Sequence, residues 1–112
     1  MKLIVRILVV MSFCACTNKP KQLPFDTVKV VLWEMTNSEE LMKLYVKKDS
    51  TYSIKSNRPI FYQKIFSLHQ ITQKDFDFSY KYYQEHPNEM KILLDSISNY
   101  GIKKREKAIS SL

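Results

Sequence analysis

Hydrophobic positions in this chain follow two different rules. From Leu3 to Phe13 they run almost continuously, broken only by Arg6 and Ser12, and a polar stretch from Thr17 to Lys21 follows abruptly. From Pro24 onward they return every three or four residues, the spacing of one face of a helix. Val28, Leu32, Met35, Met42 and Tyr45 predict a helix over 25–47, with Pro24 suited to its opening position and Asp26 favourable in its first turn. Lys47 to Asn57 is polar and reads as a loop. Asn57 is the expected cap of a second helix, with Pro59 in its first turn and Phe61, Ile65 and Leu68 as its buried stripe. Thr72 followed by Asp75 reads as a capping box, in which the acid reaches back to the start of the helix.

The next segment fits two periods. Read as a strand, it puts Phe76, Phe78, Tyr80 and Tyr82 on one side; read as a helix, it aligns Phe76, Tyr80 and Tyr83. The Thr72 cap and the stop at Pro87 favour the helix. Pro87 then opens a last helix whose stripe is Met90, Leu93, Leu94 and Ile97. Gly101 either ends that helix as a left-handed cap, or lies within one running to about Ser110 at a cost near ~1 kcal/mol. The expected fold is all-α, a small bundle of three to four helices over 24–112, after a cleaved signal peptide and a short tether.

The N-terminal segment carries the export argument. Lys2 and Arg6 give it a positive start, and its apolar run is too short for a hydrocarbon core of ~30 Å, which needs about 20 residues. That is the length of a signal-peptide core. Phe13-Cys14-Ala15-Cys16 resembles a bacterial lipobox, in which a small residue precedes the cysteine that is lipidated before cleavage. Ala15 fits the small position and Cys16 the acceptor, although Phe13 departs from the usual leucine. Cys14 is the rival acceptor, but Phe13 would then fill the small position. The expected division is a signal peptide over 1–15, a lipidated Cys16 with tether over 16–23, and a helical domain over 24–112. Two or three acyl chains, palmitate among them, would hold such a protein stably where one would not.

Composition narrows the chemistry. Of 112 residues one is glycine and four are proline, few turn residues for an all-β protein. The net charge of +7 falls to +5 when Lys2 and Arg6 are removed, leaving 16 basic against 11 acidic side chains. Both cysteines lie in the export segment, so a mature chain would have no thiol for a disulfide or for catalysis. Export also argues against nucleic acid as a partner, which the short helices and positive charge would otherwise suggest.

The order of features is similar to a family of small lipoproteins of the Bacteroidota catalogued as domain of unknown function 4296. The resemblance rests on the lipobox and tether, on Leu23-Pro24-Phe25-Asp26 with Val28 and Val31-Leu32, and on Phe76-x-x-Ser79-x-x-Tyr82-Tyr83-x-x-His86-Pro87-x-x-Met90. It covers roughly 23–100 and implies a helical envelope domain with no established activity. Trp33 and Glu34 depart from many members, and 47–57 matches nothing recognisable.

Tyr82, Tyr83, His86 and Pro87 form the one constellation that raises a functional question. They read either as a helix corner, with His86 capping the last helix, or as a surface on which a partner docks. His69 and His86 have no acid at ligand spacing to both, so no metal or cofactor is expected. Glu39-Glu40 reads as a solvated helix face, and Ser79 lacks a base and acid around it. Lys103, Lys104, Arg105 and Lys107 read as a helix end opposing the dipole, or as a contact with lipid phosphates. The expected role is a lipid-anchored, non-enzymatic accessory or adaptor with an envelope protein partner. The alternative is a ligand binder or hydrolase acting on envelope glycan or lipid, with a pocket joining His86 to Asp75, Asp77 or Glu85. By analogy with lipoprotein sorting signals, an Asp after the cysteine resembles inner-membrane retention and an acidic run resembles surface export. The absence of both after Cys16 favours the outer membrane facing the periplasm over the inner membrane or the cell surface.

Overall fold

The computed structural model describes residues 19–112, so the predicted signal segment and Cys16 lie outside the described residues. Among the described residues there are four helices: α1 (Phe25–Lys48), α2 (Ile54–Leu68), α3 (Gln73–Glu85) and α4 (Pro87–Ser110). The expectation of a small all-α bundle holds, and the ambiguous aromatic segment is helical. At 24 residues each, α1 and α4 are about 36 Å long.

α1 is the spine, packing against each of the other three helices. α2 runs antiparallel to it, since Glu34 meets His69 while Glu39 meets Arg58 and Tyr62. α4 runs beside α1 in the same direction, because Trp33 contacts Tyr100 and Asn37 shares a small cleft with Arg105. α3 crosses near the start of α1, where the Phe25 ring meets that of Tyr83 edge-on at 6.4 Å.

The core gathers one or two residues from each element: Leu23, Val28, Val31, Ile65, Phe66, Phe76, Tyr83 and Leu93. Three stripes differ from their sequence expectation. On α2 the inward residues are Ile65 and Phe66 with Tyr62 beside them, while Leu68 is turned out. On α4 Leu93 is buried and Leu94 exposed; on α1 Val31 and Met42 are buried and Tyr45 is exposed. Each case reflects a helix that touches neighbours across a narrow arc, so that only part of its apolar stripe is covered.

The helix ends are fixed by local bonds. α2 begins three residues before Asn57: the Ser53 hydroxyl accepts from Ser56 N at 3.2 Å, and the Asn57 amide donates to the Ser53 carbonyl. Pro59 therefore sits inside the helix rather than in its first turn. It lies on the exposed face, where water can reach the carbonyl it leaves without a donor. α2 ends in a Schellman turn, with Ile71 N donating to Phe66 O and Gln70 N to Ser67 O. Gln70 takes the left-handed position (φ 54°) that glycine usually fills.

Thr72 caps α3 as expected, its hydroxyl accepting from Asp75 N at 3.1 Å. Asp75 does not close the box. Its carboxylate accepts from Lys21 N at 3.0 Å instead. Two residues on, Leu23 N donates to the Ser79 hydroxyl at 2.8 Å, and that hydroxyl donates to Asp75 O. The segment before α1 is thus strapped along the first turns of α3, with Leu23 buried and Ser79 fully enclosed.

α4 runs through Gly101 with no left-handed residue there. The glycine is buried against the Trp33 indole, and a Cβ placed on it would lie 2.8 Å from Trp33 Nε1. Packing, not chain reversal, explains the only glycine in the sequence.

Candidate functional site

The Tyr-Tyr-x-x-His-Pro segment spans the corner between α3 and α4. α3 has an inner face of Phe76, Ser79 and Tyr83, with Tyr80 partly covered; its outer face therefore carries Phe78 and Tyr82, four residues apart. Phe78 is 45 % exposed and Tyr82 39 %. The His86 ring stacks on Tyr82 at 4.1 Å between centroids, held there by a 2.6 Å contact between its Nδ1 and the Tyr82 carbonyl.

Two sequence expectations change here. Tyr83 is not part of a surface: it is 5 % exposed, and burial pushes its hydroxyl pKa up. His86 stands at the N-cap position of α4, but its side chain does not cap; it serves the Tyr82 stack instead. Pro87 is exposed at the first position of α4, as expected. Phe78 is the addition that the sequence reading missed. The helical period placed it opposite Phe76, and that phase alone marks it as outward.

Beside the corner is an open cleft of about 550 Å³ between α3 and α4, lined by Tyr80, Tyr83, Met90 and Asp95 among others. His86 is not among its lining residues, and neither are Asp75, Asp77 or Glu85. Among the described residues no three His, Cys, Asp or Glu side chains come together as a metal group would require.

The other polar cluster ties α1 to α2. Glu39 receives hydrogen bonds from the Arg58 guanidinium, one of them 3.0 Å long, and from the Tyr62 hydroxyl at 2.7 Å. Glu39 is therefore an engaged side chain, while its neighbour Glu40 pairs with Lys43 on the surface. Bonding to Arg58, against some desolvation and with help from Tyr62, holds the Glu39 carboxyl below its ordinary pKa. Burial, followed by the Glu39 carboxylate, pushes Tyr62 from 10.0 up to about 12. The signs fix the pH response. Glu39 adds stability above its unfolded pKa that is lost as pH falls through its depressed folded value. Tyr62 adds stability that is complete below 10.0 and is lost as pH rises toward about 12, with Tyr83 contributing in the same sense. Urea midpoints measured across pH should therefore fall at both extremes. Tyr62→Phe should flatten much of the alkaline fall; an unchanged alkaline arm would remove Tyr62 from this account.

Over the described residues these features define a small domain of four helices that presents an exposed aromatic stack at a helix corner. Residues 20–108 match the family described as Domain of unknown function (DUF4296), and the chain belongs to that family. No curated protein and no solved structure matches the chain.

Proposed function

We propose that this protein is a lipid-anchored component of the cell envelope that acts as a non-enzymatic adaptor. Its anchor is Cys16, and its docking surface is the outer face of α3. The observation that carries the adaptor reading is the exposed stack of Tyr82 on His86, with Phe78 one turn before. Aromatic side chains already fixed in one rotamer lose little freedom on binding, and tyrosine is a favoured interface anchor. The anchor reading is supported by Lys2, Arg6 and the Phe13-Cys14-Ala15-Cys16 lipobox. Among the described residues no helix is long and apolar enough to cross a membrane. An outer-membrane position facing the periplasm is the favoured location, with envelope protein as the partner and no nucleic acid.

The test has two arms in cells of the native host. Cys16→Ala should abolish acyl labelling and leave an uncleaved precursor; label persisting in that variant would move the acceptor to Cys14. A photo-crosslinking residue at Tyr82 should yield a discrete adduct that the same residue at Lys48, on the far end of α1, does not. Equal crosslinking at both positions, or turnover of an envelope glycan or lipid by the purified protein, would overturn the adaptor reading.

A further inference from the structure

α2 is apolar on two opposite sides. Tyr62, Ile65 and Phe66 face the core, while Ile60 (54 % exposed) and Leu68 (78 %) face outward. Two helical turns apart on the same side, they line an open groove with Pro59, Gln63, Lys64 and Ser67. The helix carries Lys55, Arg58 and Lys64 and no acidic residue, and among the described residues Arg58 is the one of the three paired with a carboxylate, Glu39. The outward face is therefore both apolar and positive.

The point at which the chain enters the fold lies beside this face. Lys21 N is bonded to the Asp75 carboxylate at 3.0 Å. Gln73, two residues before Asp75, accepts from Gln63 of the groove at 3.3 Å. Lys19 and Lys21 add exposed positive charge at the same entry. Five peptide units separate Cys16 from Lys21, a reach of at most about 17 Å when fully extended.

From this placement we propose that the outward face of α2 rests on an anionic phospholipid bilayer, with Ile60 and Leu68 entering its interfacial layer and Lys64, Lys19 and Lys21 meeting its phosphates. The proposal rests on lipidation of Cys16. A lipid at that residue holds the α2–α3 side within a short fixed distance of the headgroups, where a mixed apolar and basic face is the surface that gains most from contact. The lipid thereby sets an orientation as well as a location. The outer face of α3, with Phe78 and Tyr82, is then left for protein.

In the lipidated chain the Cys16 sulfur is blocked as a thioether and no other cysteine remains, so a single introduced cysteine can be labelled uniquely. Ser67→Cys in the groove and Ser110→Cys at the end of α4 would each carry an environment-sensitive dye. The lipidated protein would be reconstituted on vesicles of phosphatidylcholine and phosphatidylglycerol. The dye at 67 should brighten several-fold, shift to the blue and be quenched by spin-labelled lipid, whereas the dye at 110 should not respond. Replacing both Ile60 and Leu68 with glutamate, on a fold checked by circular dichroism, should remove the response at 67 while the protein still floats with the vesicles. Vesicle-bound protein whose dye at 67 stays in water, or responds no more than that at 110, overturns the orientation. So does a response at 67 that appears without vesicles and grows with protein concentration, since a second copy would then cover the face. Failure to float, with no acyl mass on Cys16, overturns the anchor reading instead.

Discussion

Phe76→Ala should destabilise the domain by about 3–5 kcal/mol, the usual cost of removing a buried aromatic ring. Phe76 is buried, lies 5.3 Å from the Phe66 ring and 5.9 Å from that of Tyr80, and joins α3 to α2 at the level where the entering chain is strapped. A domain of this size has about 5–15 kcal/mol in all, so the variant should be partly unfolded at ordinary temperature or melt far below the parent. Urea unfolding followed by Trp33, the only tryptophan, measures it directly. The informative control is Phe78→Ala, expected to change stability by less than about 0.5 kcal/mol because that ring is on the solvent side. A strand would put Phe76 and Phe78 on one face and make the two variants alike. Equal losses would therefore count against the helical α3 itself.

Gly101→Val should cost about 2 kcal/mol, near the middle of the range for overpacking. The helix-propensity gain from replacing glycine works the other way by only a few tenths of a kcal/mol. The contact is hard to relieve. A Cβ at 101 would lie 2.8 Å from Trp33 Nε1 and 3.3 Å from Cδ1, and the indole stands edge-on to Tyr100 at 5.2 Å. Lys29 and Lys104 lie over the Tyr100 ring, each 5.5 Å from its centroid, and brace it from two helices. The melting temperature should fall and the Trp33 emission should shift. Trp33→Ala in the same chain should restore most of the difference between valine and glycine at 101. A penalty that survives the loss of the indole would assign the glycine to its backbone, against this packing account.

Much of the architecture was legible where one signal governed one element. Thr72 and Pro87 bracketed α3, and the spacing of Phe76, Tyr80 and Tyr83 gave its phase. Two causes account for the misread positions: some find their partners across segments where local rules assign them within one, and others lose a local role to a near neighbour. Asp75 had the spacing of a capping box and bonds to Lys21. Asn57 had the chemistry of a cap, but Ser53, four residues earlier, filled the role. Leu68 and Leu94 obeyed the periodicity of their helices, yet neither lies where a neighbouring helix covers it. Gln70 gave no sign of a helix stop, because only the Schellman bonds and the Ile71 contact it permits justify its left-handed backbone. Ser79 was legible in principle. It falls within the arc of Phe76, Tyr80 and Tyr83, and a hydroxyl on an aromatic face implies a polar partner brought to it. For the candidate surface, sequence placed Tyr82 and His86 together and its helical period aligned Tyr83 with Phe76. Grouping Tyr83 with the surface overlooked that phase, and the Phe25 ring that meets it comes from another helix.

The strap along α3 also decides how the domain responds to force. A pull at residue 19 reaches the fold through Lys21 and Leu23, whose backbone bonds to Asp75 and Ser79 lie side by side along one helix. Tension directed along that helix loads the two bonds together in shear, with the buried Leu23 side chain as a plug that must leave the core before α1 is stretched. The entry segment is thus placed to take up a pull from its N-terminal side before the bundle does.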